Sequence, residues 1–357
     1  MKLYLKYLTK PYVSVFALTS FVLVGIYVLI EFFDKLDNIA KSKATFLTLA
    51  KYLFFRLPQI CFDLWPILVS LSGLLALAFL VRGGEIFAFR TLGFSCWRLS
   101  LPYLFLAFVF TFFFLLLEAP ILPQSTFKAF YTWEVKVRKR EPRGLVVRGR
   151  LFFRGVNSFF VGHVLTPDAS FLRDVTYAKV NREGLPILII WAKRAHFQNG
   201  RWVFYDGLYK DLHQGMKPIW FDKLNRKLEF SPETVLVVKR LPRTQFLREL
   251  WAQRNFLKEA KLPTVIPESE IAYRLFYPLA GPFLLFLALP VFLGEKGQQS
   301  LGKGLSFGLL AIALGLGVVM GAKALGDKGL LPPLLALPLG LFLLSCFSLL
   351  FFRLRRF

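Results

Sequence analysis

Acidic residues are scarce in this chain. Its 357 residues hold 22 Asp and Glu against 46 Lys and Arg, a formal net charge of +24. Cysteine and histidine are scarcer still, with three of each. Cys61, Cys96 and Cys346 lie far apart and form no C-x-x-C pair, so the spacing offers neither a zinc site nor a disulfide framework. They read as small apolar packing residues. His163, His196 and His213 lack H-x-x-x-H spacing, and no metal ligation is expected of them. No G-x-S-x-G elbow is present for a serine nucleophile. The stretch 297-GQQSLGKG-304 approaches a phosphate-binding loop, but Gly304 stands where a magnesium-holding hydroxyl belongs. It also joins two apolar runs rather than a strand and a helix. The carboxylate pairs Asp34/Asp37 and Glu268/Glu270 sit among cations, where ion pairing explains them. An enzyme therefore has little to stand on, and no bound cofactor is expected.

Apolar residues are not scarce: 55% of the chain is hydrophobic. A soluble fold could not cover so much apolar surface. A helix needs about 20 apolar residues to cross a bilayer, and six runs qualify: 12–30, 57–81, 99–118, 275–294, 302–323 and 331–352. The first has a 19-residue apolar part, longer than a signal-peptide core, with no A-x-A-like site after it. It is expected to stay as a membrane helix. The runs divide the chain into 1–120 (three helices), 121–270 (an inserted domain) and 271–357 (three helices). Lys and Arg near span ends favour one side, with eleven against seven. The positive-inside rule puts both termini and the loop 82–98 in the cytoplasm, and the insert outside.

Within the insert, about 145–240, the pattern changes to period two. Runs such as 158-SFFVGHVLT-166, 171-FLRDVTYAKV-180, 186-PILIIWAKRAHF-197 and 201-RWVFYDGLYKDL-212 are separated by Thr-Pro-Asp, Asn-Arg-Glu-Gly and Gln-Asn-Gly turns. With shorter runs near 217–221, 226–230 and 234–240, seven or eight strands are predicted, as an antiparallel sandwich or jelly roll. The run 187-ILIIW-191 is apolar on both faces. Either it is central and covered twice, or Ile187, Ile189 and Trp191 line an apolar groove. From Glu118 to Arg274 the chain carries 28 basic and 15 acidic residues. That surface suits an anionic partner such as a phosphorylated lipid, or simply a solvated exterior. Nucleic acid is not expected, since no recognition motif is present.

Charged residues also mark the membrane borders. Asp63 lies inside the second run, on a helix face with Arg56 and Gln59, where it needs a partner or a polar cavity. Lys35, Lys41, Lys43, Arg56 and Lys323 are placed to ring the outer mouth of the bundle, or to snorkel at the interface. On the other side, 82-RGGEIFAFRTLGFSCWR-98 interrupts the apolar pattern. Ile86, Phe89 and Leu92 are spaced i, i+3, i+6, Glu85 and Arg90 lie near the ends, Gly93 fits a helix C′ position, and Ser95 fits an N-cap. This predicts a short helix over 83–94, either a docking element for a cytoplasmic partner or a plain interfacial turn.

In order and spacing, 57-LPQICFDLWPILVSLSGLLAL-77, 85-EIFAFRTLGFS-95, 192-AKRAHFQNGRWVF-204, 273-YRLFYPLAGPFLLFLALP-290 and 329-GLLPPLLALPLG-340 resemble the LptF/LptG permeases of the lipopolysaccharide export ABC transporter. The segment 31-EFFDKLDNIAKS-42 is more similar to LptG. The resemblance implies an α-helical inner-membrane protein of six transmembrane helices with an inserted jelly-roll-like periplasmic domain. It implies pairing with a second permease chain (LptF-like, or itself), with spans one and five forming a lateral gate. It also implies a separate cytoplasmic LptB-like ATPase that consumes ATP and magnesium. Glu85, Ile86, Phe89, Arg90, Leu92 and Gly93 would then form a coupling helix. Lys35, Lys41, Lys43, Arg56 and Lys323 would meet lipid phosphates. Lipopolysaccharide would pass from the outer leaflet to a periplasmic bridge of LptC/LptA-like β domains. Two other readings remain: a lipid- or glycan-modifying enzyme that gathers Asp168, Asp174, His163 or His196 in one pocket, or a passive periplasmic scaffold.

Overall fold

The computed structural model describes residues 2–42, 45–137, 144–147, 150–155, 157–165, 170–181, 185–198, 200–212, 218–228, 242–259, 263–293 and 301–354. The readings at Lys43, Thr166–Asp168, 182–184, His213, 234–240 and 297–300 lie outside these residues.

Four helices lead: α1 (Lys2–Ser42), α2 (Phe46–Arg82), the short α3 (Glu85–Thr91) and α4 (Cys96–Tyr131), with a π-helical turn over Thr132–Val137. Helix α4 runs past the expected end at 118 and carries Pro102, Pro120 and Pro123. Its candidate span, Trp97–Glu134, has 38 residues. At 1.5 Å per residue that is about 57 Å, so one end projects well beyond a ~30 Å hydrocarbon layer. After the β insert come α5 (Leu247–Glu259), α6 (Val265–Phe276), α7 (Ala280–Phe292), α8 (Leu301–Asp327) and α9 (Pro333–Leu354).

Among the described residues five helices are long and apolar enough to cross a membrane: Thr9–Asn38, Phe46–Arg82, Trp97–Glu134, Leu301–Asp327 and Pro333–Arg353. The sixth expected span, 275–294, is not one straight helix. Helices α6 and α7 meet at a 53° bend around Tyr277–Leu279. Pro278 lies in the break; it has no N–H and its ring blocks the carbonyl one turn back, which explains a kink there.

Helix α2 is the hub. It packs against α1, α4, α7 and α8. Trp65 stacks on Phe114 at 3.7 Å between ring centroids, and its Nε1 donates to Thr111 Oγ1 at 3.1 Å. Tyr12 of α1 donates its hydroxyl to the Val69 carbonyl at 3.0 Å. Small residues allow the closest approaches. A Cβ on Gly281 would sit 2.9 Å from Val69 Cβ and 3.3 Å from Pro66 Cα. Without water between membrane helices, such tight packing is what holds them together.

Among the described residues the insert forms one antiparallel sheet of seven strands in chain order: β1 (Gly144–Val147), β2 (Arg150–Arg154), β3 (Ser158–Val164), β4 (Phe171–Val180), β5 (Pro186–Gln198), β6 (Arg201–Asp211) and β7 (Ile219–Arg226). The β5–β6 hairpin closes at Gln198↔Arg201, with Gly200 at φ 74°, a left-handed conformation glycine accepts readily. One face forms the domain core around Phe160, Tyr177, Ile190, Trp202 and Phe204. Strand β5 is central, and the period of two sends Leu188 and Ile190 to that core. Ile187, Ile189 and Trp191 take the other face. There Phe152, Val161, Thr176, Trp191, Leu208 and Trp220 align across six strands. Trp191 and Trp220 remain exposed in this row among the described residues. Strand β5 is therefore flanked on both edges, yet its second face is not fully covered by them.

Candidate functional site

Two regions concentrate chemistry: the loop between α2 and α4, and a polar cluster where the other ends of α2, α4, α6 and α8 approach the chain leaving the sheet.

Gly84 (φ 74°) and Gly93 (φ 83°) bracket α3. At its end Phe94 N donates to the Phe89 carbonyl (3.1 Å) and Gly93 N to the Arg90 carbonyl (2.9 Å). The Phe89 and Phe94 rings meet edge-on at 5.7 Å. This is a Schellman stop with its apolar contact, and Gly93 is its left-handed C′ residue. Ser95 then caps α4 by accepting from Arg98 N at 3.4 Å. The apolar spacing needs correction. Ile86 is 1% exposed and Phe89 packs on the bundle core, so they anchor α3 rather than present a ridge. A two-turn helix lying on the ends of α2 and α4 has to bury one side there. Phe87 (70% exposed) and Leu92 (74%) are the outward apolar residues. Phe87 was absent from the sequence expectation; only its place next to Ile86, on the opposite side of the turn, could have marked it. Glu85 lies in the first turn, and its Oε2 has no hydrogen-bond partner among the described residues.

In the second region Asp63 of α2 finds its partner across the chain. Arg243 Nη1 lies 3.6 Å from Asp63 Oδ1. The hydroxyl of Tyr277 donates to the Asp63 carbonyl at 2.8 Å, and that of Tyr273 approaches Oδ1 at 3.5 Å. Burial works hardest against the Arg243 charge, but Asp63, Tyr273 and Glu270 together outweigh it and the guanidinium pKa is raised. Arg243 and Lys323 both rest on the Tyr273 ring, at 5.3 and 4.8 Å from its centroid. Lys323 also pairs with Asp327 at 2.7 Å, and Ser269 donates to the same carboxylate. Beside them lies a cavity of about 270 Å³ whose polar lining is Arg243, Ser269, Glu270, Lys323 and Asp327.

The other sequence-expected cations sit at the joint of α1 and α2. Lys35 pairs with Asp34 at 2.5 Å and lies over the Trp133 ring. Arg56 approaches Glu31 at 3.9 Å and donates to Gln59 Oε1. Tyr52 donates to Glu31 at 2.7 Å. Of Lys41 only the backbone, in α1, is described. Lys35, Arg56, Arg243 and Lys323 each have a carboxylate beside them, so the rim is not uniformly basic. An incoming phosphate would exchange for a carboxylate rather than fill a bare positive pocket.

In the sheet, His163 accepts from Arg150 Nε at 2.9 Å and His196 contacts Gln198 at 2.9 Å. Asp174 pairs with Arg173. Each thus has its own neighbour, and Asp168 lies outside the described residues. Among the described residues no group of three or more His, Cys, Asp or Glu is placed to hold a metal.

The family model that matches this chain is described as lipopolysaccharide export system permease LptF/LptG, and the match covers residues 6–356. No match is found among curated proteins.

Proposed function

Because the chain belongs to the LptF/LptG family of lipopolysaccharide export permeases, we propose that it is a non-catalytic membrane subunit that lifts lipopolysaccharide out of the inner membrane with power from a separate ATPase. The observation that carries this reading is the family match over nearly the whole chain, joined to the rigidly capped α3 with Phe87 turned outward. Removing a multi-acyl lipid from a bilayer costs about 0.8 kcal/mol per buried CH₂, so extraction needs an energy source. The ATPase would grip α3 from the cytoplasm, where both termini also lie. The β insert would stand in the periplasm and hand lipid to a bridge of similar β domains. The row of Phe152, Trp191 and Trp220 supports an apolar route along that insert.

A second permease chain completes the path. Helix α1 buries little of its apolar span against the rest of the chain, and Phe21 is 81% exposed. Among the described residues, a Cβ added to Gly25 of α1, or to Gly317 or Gly321 of α8, would meet nothing within 4 Å. Exposed small residues four apart favour helix pairing in a membrane. Gly321→Trp is expected to lower recovery of a tagged partner permease by about tenfold while leaving membrane insertion intact. Affinity purification of the tagged chain tests the wider reading: an ATPase subunit and a permease chain should accompany it. Recovery of neither, under conditions that keep the bundle folded, would remove the transporter assignment.

A further inference from the structure

The description of the chain resumes after the β insert at a turn, Pro242–Thr244, that packs against α4 and α6. A single buried side chain closes this turn. Arg274 of α6 is 2% exposed. Its Nη2 donates to the Pro242 carbonyl at 2.9 Å, its Nη1 to the Gln245 carbonyl at 2.7 Å, and its Nε to Glu270 Oε1 at 3.1 Å. One planar guanidinium thus grips both ends of the turn and a carboxylate on its own helix. Glu118 of α4, also buried, interacts electrostatically with Arg274 and Glu270. Its Oε1 has no hydrogen-bond partner among the described residues. Inside the turn, Arg243 reaches Asp63 of α2.

Three membrane helices therefore converge on the turn 242–245 and the side chains that hold it. Two of them, α2 and α4, are the helices that α3 joins at their far ends. Asp63 lies 19 residues before Arg82, about 28 Å along the helix, and Glu118 lies 22 residues after Cys96, about 33 Å. We propose that Arg274 is the positioning residue of a latch: it fixes the turn 242–245 to α6 beside α2 and α4, so that a shift of those helices at α3 is delivered to the β insert. The inference rests on the permease reading above. A buried network whose donors are occupied has few alternative arrangements, so it passes on displacement rather than absorbing it. Lysine cannot substitute. It keeps the positive charge beside Glu270 and Glu118, but has no fork to span two carbonyls.

The test uses the full chain carrying Arg274→Lys, which leaves no buried carboxylate uncompensated. With Cys61, Cys96 and Cys346 replaced by serine, spin labels are attached at Arg201→Cys in the β5–β6 turn and at Leu330→Cys between α8 and α9. In lipid nanodiscs the Arg274→Lys chain is expected to give a broader label-to-label distance distribution than the parent. In the complex with its co-purified ATPase, ATP hydrolysed per lipopolysaccharide released should rise about tenfold, with ATP turnover itself unchanged. A short bis-maleimide bridge between Pro242→Cys and Ser269→Cys should restore the ratio. The latch is overturned by an unchanged distance distribution, by a proportionate fall in turnover and release, or by a bridge that restores nothing. A parent complex that releases no lipopolysaccharide defeats the permease reading instead, and the label distances still judge the latch.

Discussion

Replacing Phe87 with aspartate is expected to abolish ATP-driven lipopolysaccharide release while the chain still inserts. Phe87 is 70% exposed on α3, and the neighbours Ile86 and Phe89 hold the helix against the bundle. The helix is stopped by a Schellman motif at Gly93 and followed at once by the Ser95 cap of α4. Nothing in this geometry needs the Phe87 ring for folding. An aromatic anchor seated in a partner's pocket typically carries about 2 kcal/mol or more of binding, roughly a 30-fold change in affinity. A charge in its place adds the cost of burying an unpaired carboxylate. Recovery of the ATPase subunit with Phe87→Asp should therefore fall at least that far. Glu85→Lys should act in the same direction, because the first-turn carboxylate also favours the α3 dipole. Ile86→Ala would instead loosen α3 from α2 and lower stability. Undiminished ATPase recovery and release in Phe87→Asp would show that α3 is only an interfacial turn.

Gly281→Leu is expected to cause the largest loss of stability in the bundle. Its Cβ would stand 2.9 Å from Val69 Cβ and 3.3 Å from the Pro66 backbone. Neither can swing away, since Pro66 and Val69 lie inside α2. The helices α2 and α7 must separate, and the contacts around Leu284, Leu285 and Ala288 are lost with them. Overpacking alone costs about 1–3 kcal/mol, and separating the hub helix adds to it. Gly73 differs: its clash is with the Leu285 side chain, which has rotamers to use. Gly302→Leu, on α8 where an added Cβ would meet nothing within 4 Å among the described residues, is the control. The thermal midpoint in detergent should drop by several degrees for Gly281→Leu and stay near the parent for Gly302→Leu. Equal midpoints would mean that α2 and α7 do not pack as described.

Much of the architecture was legible in the sequence, because bilayer thickness and strand pleating impose simple periods. Runs of about 20 apolar residues marked the spans, and alternation marked β3 to β6. The QNG turn joined β5 to β6 as expected. The Gly93 stop and the Ser95 cap were also readable, since caps depend on residue type a few positions away. The 53° break at Tyr277–Leu279 was not, because Pro and Gly within an apolar run are compatible with a continuous membrane helix. The orientation of α3 escapes the sequence for a different reason. Ile86 and Phe87 are both apolar neighbours, and only the ends of α2 and α4 decide which one is buried. The polar cluster around Asp63 was hardest. Asp63 announced that it needed a partner, but Arg243 is separated from it by the whole insert. Arg274 bonds carbonyls 29 and 32 residues away, and backbone acceptors leave no mark in a sequence.

The most direct measurement of the account is release of lipopolysaccharide from proteoliposomes holding this chain, its partner permease and the ATPase subunit. Release should require ATP and the ATPase subunit together, and this chain purified alone should turn over no ATP. ATP hydrolysis by the isolated chain, or release that proceeds unchanged without the ATPase subunit, would contradict it.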